Sequence, residues 1–172
     1  MKQLKTVKAP PGAKRLIQSL RGLGYETITA IADIIDNSIS AEASEVFIDI
    51  KTGKDPSIVI ADNGNGMDRE ALISAMRFGA EQKYASDDLG KFGLGLKTAS
   101  LSQCKLLTVA SKARPSKGSR PRRNIFRWDI DHVYKKDDWE LIGLDEDDLS
   151  DSIRESLFHK CAADHGTVVL WQ

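Results

Sequence analysis

Residues 45–62 read EVFIDIKTGKDPSIVIAD: a run that alternates apolar and polar residues, EVFIDIK, and a second, apolar run, SIVIAD, parted by a turn carrying Gly53 and Pro56. Period-two alternation is the pattern of a strand with one face buried. The connection is far too short for the crossover that parallel strands need, so the pair is a β-hairpin. An antiparallel pair near the start of the chain argues against strict βαβ alternation and a fully parallel sheet.

The remaining segments extend that frame. Lys14 to Leu20 has helical apolar spacing and ends at Gly22 and Gly24. Thr27 to Ala41 is the longest helix candidate, and Met67 to Phe78 reads as another, with Asp68 as its N-cap. Residues 79–95, GAEQKYASDDLGKFGLG, are polar, glycine-punctuated and without a period, as in a loop. A helix is expected from Leu96 to Gln103 and strands at KLLTVAS, NIFRWDI, DWELIGL and GTVVLWQ, with an acidic loop and short helix at DEDDLSDSIRESLF. Interleaved helices and hairpins give an α+β sandwich, helices on one face of a mixed, mainly antiparallel sheet.

Bulk properties exclude much. The 172 residues make one domain by length, with 41% hydrophobic and 29% charged residues, as in a soluble globular chain. The formal net charge is zero, which argues neither for nor against a nucleic-acid partner. No apolar run approaches the ~20 residues of a membrane span, and the N-terminus lacks a signal-peptide core. Cys104 and Cys161 form no CxxC pair, so the expected compartment is the reducing cytoplasm.

Three features could carry chemistry. In AIADIIDNSISA, Ile28, Ile31, Ala32, Ile35 and Ile39 form one helical stripe, and Asp33, Asp36, Asn37 and Ser40 the other. The polar stripe is either a solvated face or a built site. Short acids and amides are poor helix formers, and at i, i+4 they hold oxygens where a hydrated Mg²⁺ or an attacking water needs them. In DNGNGMD, Gly64 and Gly66 allow close backbone approach to a flat ligand and Asp62 can accept from an amino group; a plain Asn-Gly turn is the simpler alternative. In GKFGLGLKTAS, Gly90, Gly93 and Gly95 lead into a helix start, which in principle binds anions.

In this order and at these spacings the three elements resemble the GHKL ATPases (gyrase, the ninety-kilodalton heat-shock chaperones, histidine kinases and MutL). The match lies in DIIDN, DNGNG and GKFGLG, with a fourth element in GTVVLW. The style of AIADIIDNSISA, DNGNGM, RFG and GKFGLGLKTAS is similar to that of the microrchidia-type ATPases and their prokaryotic relatives. The resemblance implies a Bergerat-type two-layer sandwich spanning residues 1–172, with an ATP lid at 80–95. It implies Asp33 as the catalytic base and Asn37 as the Mg²⁺ ligand. It implies ATP contacts at Asp62, Gly64, Gly66, Met67 and Thr167, and lid contacts at Gly90, Lys91, Phe92, Gly93, Leu94, Gly95 and Leu96.

Two positions depart from the family pattern. Asp33 stands where Glu is usual, which withdraws the carboxylate by about 1.5 Å, one C–C bond. A misplacement near 1 Å can cost on the order of a hundredfold in rate. Ser40 stands where many members carry Asp. The resemblance further implies a homodimer when ATP is bound, in a longer protein of which this is the N-terminal part, with DNA as the client class and no membrane. Slow Mg²⁺-dependent ATP hydrolysis is the expected activity; an ATP-sensing module with negligible turnover and a protein histidine kinase are the alternatives. HKCAADH lacks a fourth zinc ligand. The basic run from Lys112 to Arg123 reads either as a solvated loop or as a contact to phosphates.

Overall fold

The computed structural model describes residues 11–22, 24–78 and 95–172. Helices α1 (Ala13–Arg21) and α2 (Thr27–Ser40) are followed by the hairpin β1 (Val46–Lys51) and β2 (Ser57–Asp62), then α3 (Arg69–Met76) and α4 (Gly95–Gln103). The chain continues through β3 (Leu106–Lys112), β4 (Asn124–Asp129), α5 (Ile130–Lys136), β5 (Ile142–Leu144), α6 (Asp151–Leu157) and β6 (Gly166–Trp171). The strands form one sheet in the order β1-β2-β6-β3-β4-β5. Every pairing among the described residues is antiparallel.

Alternation along the strands sorts the core into two faces. Ile60, Leu107, Val109, Phe126, Trp128, Val169 and Trp171 point into the layer of α1 to α5. Their neighbours Val59, Ala61, Ala110, Ile125, Val168 and Leu170 point the other way, against Leu149, Leu157 and Ala162. The expected helix-on-sheet sandwich is therefore present, with a smaller second layer from residues 145–163, where α6 is flanked by 3-10 turns at Glu146–Asp148 and Lys160–Ala162.

Two local readings need correction. The strand expected at NIFRWDI stops at Asp129, whose carboxylate caps α5 by accepting from the backbone N–H groups of Asp131 and His132 at 2.9 and 3.1 Å. In α2 the buried seam is Ala30, Ile34 and Ser38, whereas Ile28 and Ile39 are 81% and 63% exposed. The apolar stripe of Ile28, Ile31, Ala32, Ile35 and Ile39 misplaces the seam, because a serine sits on it and two of those isoleucines do not.

α2 and α4 pack side by side over the sheet. The Lys97 side chain of α4 is buried and its Nζ donates to the Ala75 carbonyl at the end of α3, at 2.8 Å. Burial pushes its pKa down to about 8. The folded chain then sheds this proton well before the unfolded chain does, so between about pH 8 and the ordinary lysine value folding is favoured as pH rises. Lys97→Met keeps the packed stem and removes the titration. Its stability relative to wild type, from urea midpoints, is expected to fall by about 1 kcal/mol or more between pH 7.5 and pH 10.

Candidate functional site

The register of the sheet sets one end of the site. Asp62 of β2 lies opposite Thr167 of β6, and Thr167 lies opposite Ser111 of β3. Three polar residues thus form a row across adjacent strands, where the alternation further along is apolar. Ser111 and Thr167 join hydroxyl to hydroxyl at 2.9 Å, and Ser111 Oγ accepts from the Met67 backbone N–H at 2.9 Å.

Asp62 is buried, at 7% exposure. Its Oδ1 accepts from the backbone N–H of Gly64 at 2.9 Å and of Thr167 at 3.3 Å. Its Oδ2 accepts from Ser38 Oγ of α2 at 3.1 Å. Burial raises the Asp62 pKa, and the bonds from Gly64, Ser38 and Thr167 and the charge of His165 work against that rise. A carboxylate has about four lone-pair directions, so three bonds leave room for one more donor.

Glycine is required at two places in the turn after β2. At Gly66, φ is +61° and a Cβ would stand 2.0 Å from the Lys112 carbonyl oxygen. At Gly64 a Cβ would stand 2.8 Å from the Ala41 carbonyl oxygen. Asn65 secures the turn by donating its N–H to Ala41 O at 2.7 Å and accepting from the Arg114 N–H at 2.7 Å. His165 Nδ1 bonds the Gly64 carbonyl oxygen at 2.6 Å. The turn is therefore held between the end of α2 and the strands β3 and β6.

The α2 residues complete the arrangement. Asn37 Nδ2 donates to the Asp33 carbonyl at 2.8 Å, which leaves Oδ1 of this exposed amide as an oxygen acceptor. Such an oxygen suits a hard cation that keeps most of its waters, so the donor set fits Mg²⁺. The Tyr25 hydroxyl donates to Asp33 Oδ2, and that bond, followed by burial and the charge of Asp33, raises the tyrosine pKa.

Asp62, Gly64, Gly66, Met67 and Thr167 are thus in one connected group, joined to α2 and so to Asp33 and Asn37 through Ser38. Gly95 and Leu96 begin α4, which packs on α2. Gly90, Lys91, Phe92, Gly93 and Leu94 lie outside the described residues. Ser38, Tyr25, Ser111 and His165 are participants that the motifs do not name. The HKCAADH side chains diverge: His159 stacks on Phe47, Cys161 faces the carbonyls of Glu45 and Ala61, and His165 bonds the glycine turn. Among the described residues no helix is long and apolar enough to cross a membrane.

Sequence comparison points the same way as the geometry. Over 91 residues the chain is 37% identical to the DNA mismatch repair protein MutL of Shewanella loihica, covering 50% of this chain and 14% of that protein. Over 86 residues it is 31% identical to ATPase morc-1 of Caenorhabditis elegans, covering 49% of this chain and 10% of that protein. Protein MICRORCHIDIA 3 of Arabidopsis thaliana is 37% identical over 86 residues, covering 46% and 15%. The alignments thus span at most 15% of the length of these three relatives. The family described as histidine kinase-, DNA gyrase B-, and HSP90-like ATPase matches residues 25–167, from the Tyr25 that holds Asp33 to the Thr167 that holds Asp62, and the chain belongs to it.

Proposed function

We propose that this domain binds ATP with Mg²⁺ and hydrolyses it slowly. The observation that carries the reading is the buried Asp62 carboxylate, fixed by Ser38, Gly64 and Thr167 with one acceptor direction to spare, beside a turn whose glycines keep the backbone bare. That combination suits a flat base with an exocyclic amine: Asp62 accepts from the amine, Gly64 and Gly66 allow the ring against the chain, and Thr167 steadies the carboxylate. Asn37 Oδ1 would hold the magnesium ion, which when bound neutralises phosphate charge.

On this reading Asp33 orients and deprotonates the attacking water. Its carboxylate is a methylene shorter than the usual glutamate. Tyr25 is bonded to one of its oxygens, which fixes the side chain and leaves the other oxygen for water. In a longer protein, ATP-dependent pairing of two copies is the mechanical output we propose, and DNA is the client class that the relatives' names suggest.

Steady-state hydrolysis and ATP affinity, measured together for wild type and Asp33→Asn, test the assignment. Wild type is expected to turn over, and the variant to bind within about twofold but hydrolyse at least about a hundredfold more slowly. Equal binding with no turnover in either would make the domain an ATP-sensing module. Asp62→Asn exchanges an acceptor for a donor toward the amine and should weaken ATP binding by about tenfold to a hundredfold, read by calorimetry. Tyr25→Phe should lower kcat by about tenfold with affinity unchanged; an unchanged kcat would remove Tyr25 from the positioning role.

A further inference from the structure

The sheet has two unlike edges. β5 is three residues long, whereas β1 is six and pairs with β2 alone among the described residues. Val46, Ile48 and Ile50 of β1 lie opposite Asp62, Ile60 and Ile58, so they share the face that carries α2. The helices leave them open: they are 37%, 38% and 57% exposed, and Phe47 on the other face is 38% exposed. A long apolar edge strand with free N–H and C=O groups is a template for another strand.

The edge sequence indicates which strand. Residues 45–51, EVFIDIK, begin with an acid and end with a base. Laid antiparallel on a copy of itself about Ile48, the segment places Val46 opposite Ile50, Phe47 opposite Asp49 and Glu45 opposite Lys51, twice each by symmetry. The neighbouring registers that keep the faces matched are worse: a two-fold at Asp49 sets Asp49 against Asp49, and one at Phe47 sets Glu45 against Asp49. Like charges directly opposite each other are destabilising, and opposite charges are favourable. A two-fold contact of this type is self-complementary, as homodimer interfaces are.

We propose that β1 is a homotypic docking edge, on which a second copy of this chain adds its own β1 antiparallel in the Ile48-centred register. The contact continues the sheet from one copy into the next. It uses neither Asp33, Asn37 nor the Asp62 turn, so it forms without nucleotide and stands apart from the ATP reading. Among the described residues Glu45 is exposed and is bonded through its backbone groups, to Asn63 and from Cys161. Its side chain is therefore available to the partner strand.

Cysteine cross-linking without nucleotide, in a Cys161→Ser background, tests the register. Residues facing each other across antiparallel strands have Cα atoms about 4.5–5.5 Å apart, within disulfide range. Ile48→Cys should therefore form a disulfide-linked dimer on mild oxidation. Ile50→Cys should not, since its symmetry mate lies about 13 Å away along the strand. In sedimentation equilibrium Glu45→Lys and Lys51→Glu should each weaken association by about fivefold or more, and the double variant should restore it. Cross-linking at neither position, or equally at both, overturns the proposal. So does a double variant no better than the singles, or a monomer whose β1 amides resist hydrogen exchange, which would place some other segment on the edge.

Discussion

The hydrogen bond between Ser38 and Asp62 joins the two layers of the site. Ser38 is on the buried seam of α2, where an apolar residue would ordinarily sit, and Asp62 ends a strand that is otherwise apolar on that face. Each would be costly alone, since a buried polar group without a partner loses its hydration for nothing. Together, with the N–H groups of Gly64 and Thr167 on the same carboxylate, they form a satisfied group that also sets the position of α2 against β2. The distance from the α2 face to the glycine turn is therefore determined by hydrogen bonds as well as by packing.

That constraint bears on Asp33. Moving a carboxylate back by one methylene matters where the helix carrying it is held, and α2 is held at Ser38, five residues beyond Asp33. The Tyr25 hydroxyl supplies a second restraint at the carboxylate itself. A short acid fixed at both ends has less freedom to lose than a longer one. On the proposed reading the site exchanges reach for order, and the balance between the two decides whether the domain is an enzyme or a sensor.

The sequence exposes what is local. α2, the β1-β2 hairpin, the glycine turn and the strand at 166–171 each carry a period or a spacing, and the structure has them where those signals lie. Asp62, Gly64 and Gly66 are legible because a glycine-bearing turn at a strand end has few physical explanations. Ser38, Ser111, Tyr25 and His165 are not, because their roles depend on residues between eight and 101 positions away. α5 was hidden by Asp129, which closes a strand and caps a helix at once. The second layer at 145–163 was hidden by an acidic sequence whose few apolar residues, Leu149 and Leu157 among them, are enough to cover the other sheet face.

The two edges of the sheet divide the labour of the fold. Strands β2, β6 and β3 carry the row Asp62, Thr167 and Ser111 and are each paired on both sides, so the site rests on the least deformable part of the sheet. β1 adds only the apolar Val46 beside Asp62 to that row, yet it backs β2 along its whole length. A strand added outside β1 would take the hairpin from the edge into the interior, where opening it requires breaking ladders on both sides. Stiffening there would reach Asp62 through the β2 backbone without altering any contact in the site. The proposed docking edge and the buried carboxylate share no residue, and the β2 backbone is the one element between them.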